Sequence, residues 1–167
     1  MRKSLLLLPI VLLVLLQVGA RAQDTIKIHV GFQNLNVANL NLPGWSGSVD
    51  YKLVELERWR IGAVFDVAGQ YDSNNVLDRY QYLAGTTVAR SLGKNSLSLF
   101  GRALFGATRF ESRAGPGFTR GTVSVGGGLD INLGKHFFLR PGSFDFQWID
   151  RRPVTYARLL FGGGARF

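Results

Sequence analysis

The sequence predicts an all-β fold: eight antiparallel strands closed up-and-down into a membrane-spanning β-barrel, after a cleaved signal peptide. Three observations predict it. Eight segments alternate apolar and polar residues with a period of two, and the connections between them alternate in length. Aromatic residues gather near the segment ends, while the polar face is rich in Gly, Ser and Thr.

The chain begins with Arg2 and Lys3, an apolar stretch from Leu5 to Leu16, and the small-residue site Ala20-Arg21-Ala22. This is the pattern of a secretory signal, cleaved between Ala22 and Gln23. The apolar run is too short for a membrane anchor, which needs roughly 20 residues. The expected organisation is therefore a signal peptide over residues 1–22 and one barrel domain over 23–167. The chain has no cysteine, so burial and backbone pairing alone must hold the exported domain. No later stretch is long and apolar enough for a transmembrane helix, so any membrane crossing must use strands. The formal net charge of +9 raises nucleic acid or an anionic surface as partners. Export argues against nucleic acid, and the charges are spread over strands and loops rather than massed in one patch.

The eight segments follow in order. The first sets Ile26, Ile28, Val30 and Phe32 against Lys27, His29, Gly31 and Gln33. The second sets Trp45, Gly47, Val49, Tyr51 and Leu53 against Ser46, Ser48, Asp50 and Lys52. In the third, Trp59, Ile61, Ala63, Phe65, Val67, Gly69 and Tyr71 oppose Arg60, Gly62, Val64, Asp66, Ala68 and Gln70. The fourth sets Tyr80, Tyr82, Ala84, Thr86 and Val88 against Gln81, Leu83, Gly85 and Thr87. The fifth sets Leu97, Leu99, Ala103 and Phe105 against Ser98, Arg102 and Thr108, with Phe100 and Leu104 blurring the pattern. In the sixth, Val123, Val125, Gly127, Leu129 and Ile131 oppose Thr122, Ser124, Gly126, Gly128, Asp130 and Asn132. The seventh, His136 to Ile149, sets Phe144, Phe146 and Trp148 against Ser143, Asp145 and Gln147; Pro141 interrupts it and predicts a bulge or kink, leaving the side of Arg140 open. The eighth runs from Tyr156 to Phe167, with Ala157, Leu159, Phe161, Gly163, Ala165 and Phe167 on one face and Arg158 and Arg166 on the other.

Three connections are short: 54–58, 91–95 and 134–135. The other four, 34–44, 72–78, 109–117 and 150–154, carry Gly, Pro, Asn and charged residues and read as exposed loops. Short turns at one end and longer loops at the other is the arrangement of outer-membrane barrels, with the turns on the periplasmic side.

Period alone does not say which face is outside. A soluble lipocalin-like barrel points its apolar face inward; a membrane barrel exchanges the faces. Here the polar face is small and sparsely charged, and charged residues are 19% of the chain, too few for a water-facing surface. Aromatics at strand ends (Trp45, Trp59, Tyr71, Tyr80, Tyr82, Trp148, Tyr156) fit two interfacial girdles. The membrane reading is preferred. It places Lys27, Asp50, Lys52, Arg60, Asp66, Arg102, Asp130, Asp145, Arg158 and Arg166 in the interior, where they must pair because a lone buried charge is costly. Gln33, Gln70, Gln81 and Gln147 are expected to complete the hydrogen bonding. Eight strands leave just enough room for side chains, which argues against a general diffusion pore and leaves a small water-filled cavity or a gated conductance open.

No catalytic, cofactor or metal site is expected. Neither His29 nor His136 has a His or Cys partner or clustered carboxylates at ligand spacing. Lipid A deacylases of this architecture have a Ser two residues from their His; here those positions are Gly31 and Phe138. Gly126-Gly-Gly128 and Gly162-Gly-Gly164 are followed by no helix and no Lys-Ser/Thr, so they are not phosphate loops; they give room to large neighbours.

The chain resembles the small OmpA/OmpX-like outer-membrane β-barrel family of Gram-negative bacteria over nearly its whole mature length. The matching features are Gly31-Phe32, Gly44-Trp45, Gly126-Gly-Gly-Leu-Asp130, Leu139-Arg-Pro141 with Asp145 four residues on, and the Phe-ended last strand. The resemblance implies that Phe167, Phe161 and Leu159 form a C-terminal signal for the barrel-assembly machinery. With the chain stopping at Phe167, no peptidoglycan-binding domain is expected. The expected protein is monomeric, not an enzyme, and structural or surface-interacting, with outer-membrane lipid and lipopolysaccharide as partners. Arg109, Arg113, Arg120, Arg151 and Arg152 are its candidate lipopolysaccharide contacts. The alternatives are a narrow ion or solute channel, a lipid-modifying enzyme, and a soluble lipocalin-like binder.

Overall fold

The computed structural model describes residues 25–37, 40–71, 77–92, 96–112, 115–150 and 155–167. Residues 1–22, expected as a signal peptide, and Arg113, Arg151 and Arg152 lie outside the described residues.

Eight strands make one closed barrel: β1 (Ile26–Val37), β2 (Leu40–Leu56), β3 (Trp59–Gln70), β4 (Leu77–Leu92), β5 (Leu97–Ser112), β6 (Gly115–Leu133), β7 (Phe137–Ile149) and β8 (Thr155–Arg166). Each strand pairs antiparallel with its sequence neighbours, and β8 returns to β1 from Lys27↔Arg166 to Asn36↔Ala157. The ladder continues one residue further, because Thr25 N–H donates to the Phe167 carbonyl at 2.8 Å and Phe167 N–H to the Ile26 carbonyl at 2.9 Å. Closure satisfies the backbone groups that two sheet edges would leave unpaired, which is what makes a β structure viable in lipid.

Burial runs opposite to that of a soluble protein. Asp66, Asp130, Asp145, Arg79, Arg102, Arg140 and Arg158 are buried in the lumen, while Phe32, Phe65, Phe105, Phe146 and Phe161 stand on the outer face. Phe32 is 79% exposed and Arg158 is 0%. An apolar exterior around a polar interior has its low free energy in hydrocarbon, so this is a transmembrane barrel. On the outer face Trp45, Tyr71 and Trp148 lie near the end opposite the short turns, and Tyr51, Trp59 and Phe137 near the turn end.

Two segments expected as loops are strands. Residues 34–44 and 109–117 continue the ladder into hairpins, pairing up to Val37↔Leu40 and Ser112↔Gly115. Asn34, Asn36, Arg109 and Glu111 there are exposed on the outer face, so composition imitates a loop while alternation persists. Leu35, Phe110, Ile149 and Tyr156 point inward there and pack with Leu42 and Phe118. Tyr156, expected in the outer girdle, is therefore a plug residue inside the barrel. Phe110 and Phe118 stack with centroids 4.9 Å apart.

Pro141 does mark a bulge. β7 slips register between Arg140 and Ser143 against β8, opposite a shift between Leu129 and Ile131 of β6. The extra residue changes parity, so Phe138 and Arg140 face the lumen below it and Ser143, Asp145 and Gln147 above it. The blurred pattern of the fifth segment has a similar explanation: Leu104 packs inside against Val64 and Leu83, and the Phe100 ring receives the Arg140 guanidinium at 4.1 Å.

Candidate functional site

The lumen is built in layers from inward-facing alternate residues. Midway, β3, β5, β7 and β8 bring Asp66, Arg102, Asp145 and Arg158 together. Arg102 Nε and Nη2 donate to the two Asp145 oxygens at 3.0 and 2.6 Å, and its Nη1 to Asp66 at 3.3 Å. Arg158 donates from Nε and Nη2 to Asp145 Oδ2 at 2.8 and 2.6 Å, and from Nη1 to Asp66 Oδ1 at 2.8 Å. Two carboxylates thus share two guanidinium forks, the planar geometry that suits Arg rather than Lys. All four side chains are almost fully buried, so each charge depends on the others.

Toward the hairpin end the charges give way to amides. Gln81 and Gln147 exchange hydrogen bonds at 3.2 and 3.0 Å, and Gln81 also donates to Thr108 at 3.2 Å. Arg79 Nη2 donates to Gln147 at 2.7 Å, with its guanidinium 5.2 Å from the Tyr156 ring centroid. Above lies the apolar plug. Toward the turn end, Asp130 accepts from Lys27 and from Arg140 Nε at 2.8 Å. Lys27 also sits over the Phe138 ring at 4.2 Å. The tightness of this layer makes glycine necessary at the strand crossing: a methyl on Gly164 would lie 2.7 Å from the Phe138 ring.

Of the ten charges expected inside, Lys27, Asp66, Arg102, Asp130, Asp145 and Arg158 make the two ion clusters. The other four lie nearer the turn end. Lys52 pairs with Glu55 at 2.7 Å, the bulge between Lys52 and Val54 having brought the two to the same side. Arg166 donates to Asn132. Asp50 and Arg60 line a small chamber of about 20 Å³ beside Lys27, Asp130 and Arg140. Gln33 donates to the Gly69 carbonyl at 3.4 Å, and the Gln70 amide has no hydrogen-bond partner among the described residues. Sequence reading missed Arg79 and left Arg140 unplaced. The period of two, extended two residues before Gln81, would have placed Arg79; only the bulge places Arg140.

The outer face and rims hold the remaining candidates. Leu159 and Phe161 are half-exposed on the lipid side, and Phe167 closes the β1–β8 seam. Arg109 is exposed on β5 and bonds Glu111 at 2.8 Å. Arg120 on β6 lies 5.4 Å from the Phe118 ring centroid. His29 faces the lumen, stacked near Phe138 at 6.3 Å between centroids, and its Nε2 has no hydrogen-bond partner among the described residues. Among those residues no group of His, Cys, Asp and Glu is placed to hold a metal ion. The arrangement can hold paired charge away from solvent contact.

Known protein-family models give no match to this chain, and neither do the curated proteins. Solved structures do. The attachment invasion locus protein Ail of Yersinia pestis superposes with a TM-score of 0.59 at 19% identity, covering 86% of this chain and 97% of Ail. The N-terminal β-barrel domain of Pseudomonas aeruginosa OprF gives 0.61 at 17% identity, covering 87% and 98%. Neisserial surface protein A gives 0.57 at 12% identity, covering 85% and 96%. At these identities the likeness is one of fold: the chain has the eight-stranded fold of the small OmpA/OmpX-like outer-membrane β-barrels.

Proposed function

We propose that this protein is a non-enzymatic barrel of the bacterial outer membrane whose role is structural or surface-interacting, with contact made at the rim formed by the β1–β2 and β5–β6 hairpins. The observation that carries this reading is the filled lumen. Ion clusters, an amide layer and the Leu35–Phe110–Ile149–Tyr156 plug fill it from the middle to the hairpin end, so on that side the rim is the surface the chain offers to other molecules. The signal segment 1–22 would direct export, the Leu159, Phe161 and Phe167 strand would be read by the barrel-assembly machinery, and the closed barrel, with no free edge, would work as a monomer.

The partner we favour is anionic lipopolysaccharide. Arg109 and Arg120 stand on the β5–β6 hairpin, and Arg113, Arg151 and Arg152 belong by sequence to the same end of the barrel. Ail has been crystallised with the heparin analogue sucrose octasulfate, a densely anionic sugar, which supports sugar-borne anions as a class for this rim. The test is flotation of the refolded protein with vesicles containing lipopolysaccharide against vesicles of phosphatidylcholine alone, after capture of the rim on immobilised lipopolysaccharide in detergent. Binding that falls about tenfold when Arg109, Arg113 and Arg120 are changed to Gln supports the reading; equal binding by that variant overturns the contact surface. A second reading, a narrow channel, draws on the cavity at the turn end, and stable unitary conductance in planar bilayers would favour it.

A further inference from the structure

Cations in the depth of the lumen have carboxylates; at its turn end Arg58, Arg60 and Lys135 make no ion pair among the described residues. A cavity of about 520 Å³ opens there, lined by Arg58, Arg60, Lys135 and Arg166 with the neutral Asn132 and Ser98. Its other charged members are Lys52, whose partner is Glu55, and Glu57 on the turn. Lysines and arginines outnumber carboxylates five to two in this lining. Arg60 makes no hydrogen bond or ion pair within bonding distance among the described residues, and Arg166 is held by the Asn132 amide. Contrast Asp66 and Asp145 above, where two guanidinium groups are matched by two carboxylates.

We propose that this vestibule is a binding site for a compact polyanion, a small solute bearing two or more phosphate or carboxylate groups, taken up from the side of the short turns. The volume suits such a ligand, being within the roughly 300–1,000 Å³ of small-molecule sites. The excess of cations in a concave opening concentrates positive potential there, which raises the local concentration of an anion. Guanidinium forks accept either oxyanion geometry in bidentate fashion. The site is a terminus and not a passage. Arg60 borders both the vestibule and the chamber of about 20 Å³ behind it, which has room for about one water molecule, and Asp50 and Asp130 in the wall of that chamber repel an anion. The inference is independent of the outer-rim reading, since it concerns the opposite end of the barrel.

The test is titration calorimetry on the whole mature chain, refolded in zwitterionic micelles at low ionic strength, with inorganic pyrophosphate in one arm and citrate in the other. The expected result is saturable binding to at least one, weakened about tenfold by Arg60→Gln and about a hundredfold by Arg60→Gln with Lys135→Gln, and unchanged by Arg90→Gln, which removes a cation beside Trp59 on the outer face and outside the vestibule. Pyrophosphate alone would identify a phosphate ligand, citrate alone a carboxylate one, and both a general polyanion site. Each variant must first give the faster-migrating unboiled band of a folded barrel. Should Arg60→Gln fail to do so, Arg58→Gln and Lys135→Gln on the exposed turns carry the same comparison. Absence of binding to both anions by the folded wild-type chain overturns the proposal, as does binding that the vestibule variants leave intact.

Discussion

Arg158 on β8 and Asp66 on β3, 92 residues apart in the sequence, meet across the lumen at 2.8 Å. Strands β8 and β3 are not neighbours in the barrel, so this bond is a strut and not a rung of the ladder. Replacing Arg158 by Met leaves Asp66 and Asp145 short of half their guanidinium donors in a dry interior. Loss of one member of a buried ion cluster costs about 3–5 kcal/mol. Urea unfolding of the refolded barrel, followed by tryptophan fluorescence, should show a loss of that order, and a change below about 1 kcal/mol would mean the cluster is hydrated.

The bulge at Pro141 and Gly142 decides what faces the lumen in β7. Deleting Gly142 removes the extra residue and turns Phe138 and Arg140 toward lipid, stripping Asp130 of the Arg140 fork. That variant should fail to give a heat-modifiable band. Pro141→Ala keeps the residue count and should fold. If both fold equally well, the parity argument is wrong.

Phe105 lies on the outer face near mid-height, paired with Ala84 and Val123. Phe105→Arg should destabilise the protein by about 2–4 kcal/mol in lipid vesicles, the depth-dependent cost of a cation on a lipid-facing strand. A near-neutral effect would argue that this face meets water.

Trp45 and Gly69 are a cross-strand pair on the outer face. A methyl at Gly69 would lie 2.6 Å from Trp45 Nε1, which donates to the Tyr71 hydroxyl at 3.0 Å. Gly69→Ala should displace the indole, break that bond, shift tryptophan emission and lower stability. Trp45→Leu should remove most of the penalty of Gly69→Ala. A double-mutant cycle should give a coupling of roughly 0.5–3 kcal/mol, and strict additivity would show the ring does not cover the glycine.

Alternation made the barrel legible. In the third segment every second residue from Trp59 to Tyr71 is on the outer face, with Asp66 and Gln70 inside, because a strand's side chains have a period of two whatever they touch. Where composition and that rule disagree, the rule is right. Asn34, Asn36 and Pro43 have the composition of a loop, yet Leu35 and Leu42 keep the inward beat and build a hairpin. Tyr156 by residue type suits an interfacial girdle, but its parity with Arg158 places it inside.

What the sequence determined by itself is the set of properties that depend on neighbours along the chain: eight strands, their order, and the face of nearly every residue. These follow from pleat geometry and from the cost of burying a lone charge in a narrow lumen. What the tertiary structure decided is which charges meet. Asp145 is shared by Arg102 and Arg158, Asp130 by Lys27 and Arg140, while Arg60 at the turn end has no such partner. Those pairings are set by strand register, by the bulge at Pro141 and by closure of β8 onto β1, none of which is expressed in the alternation of a single strand.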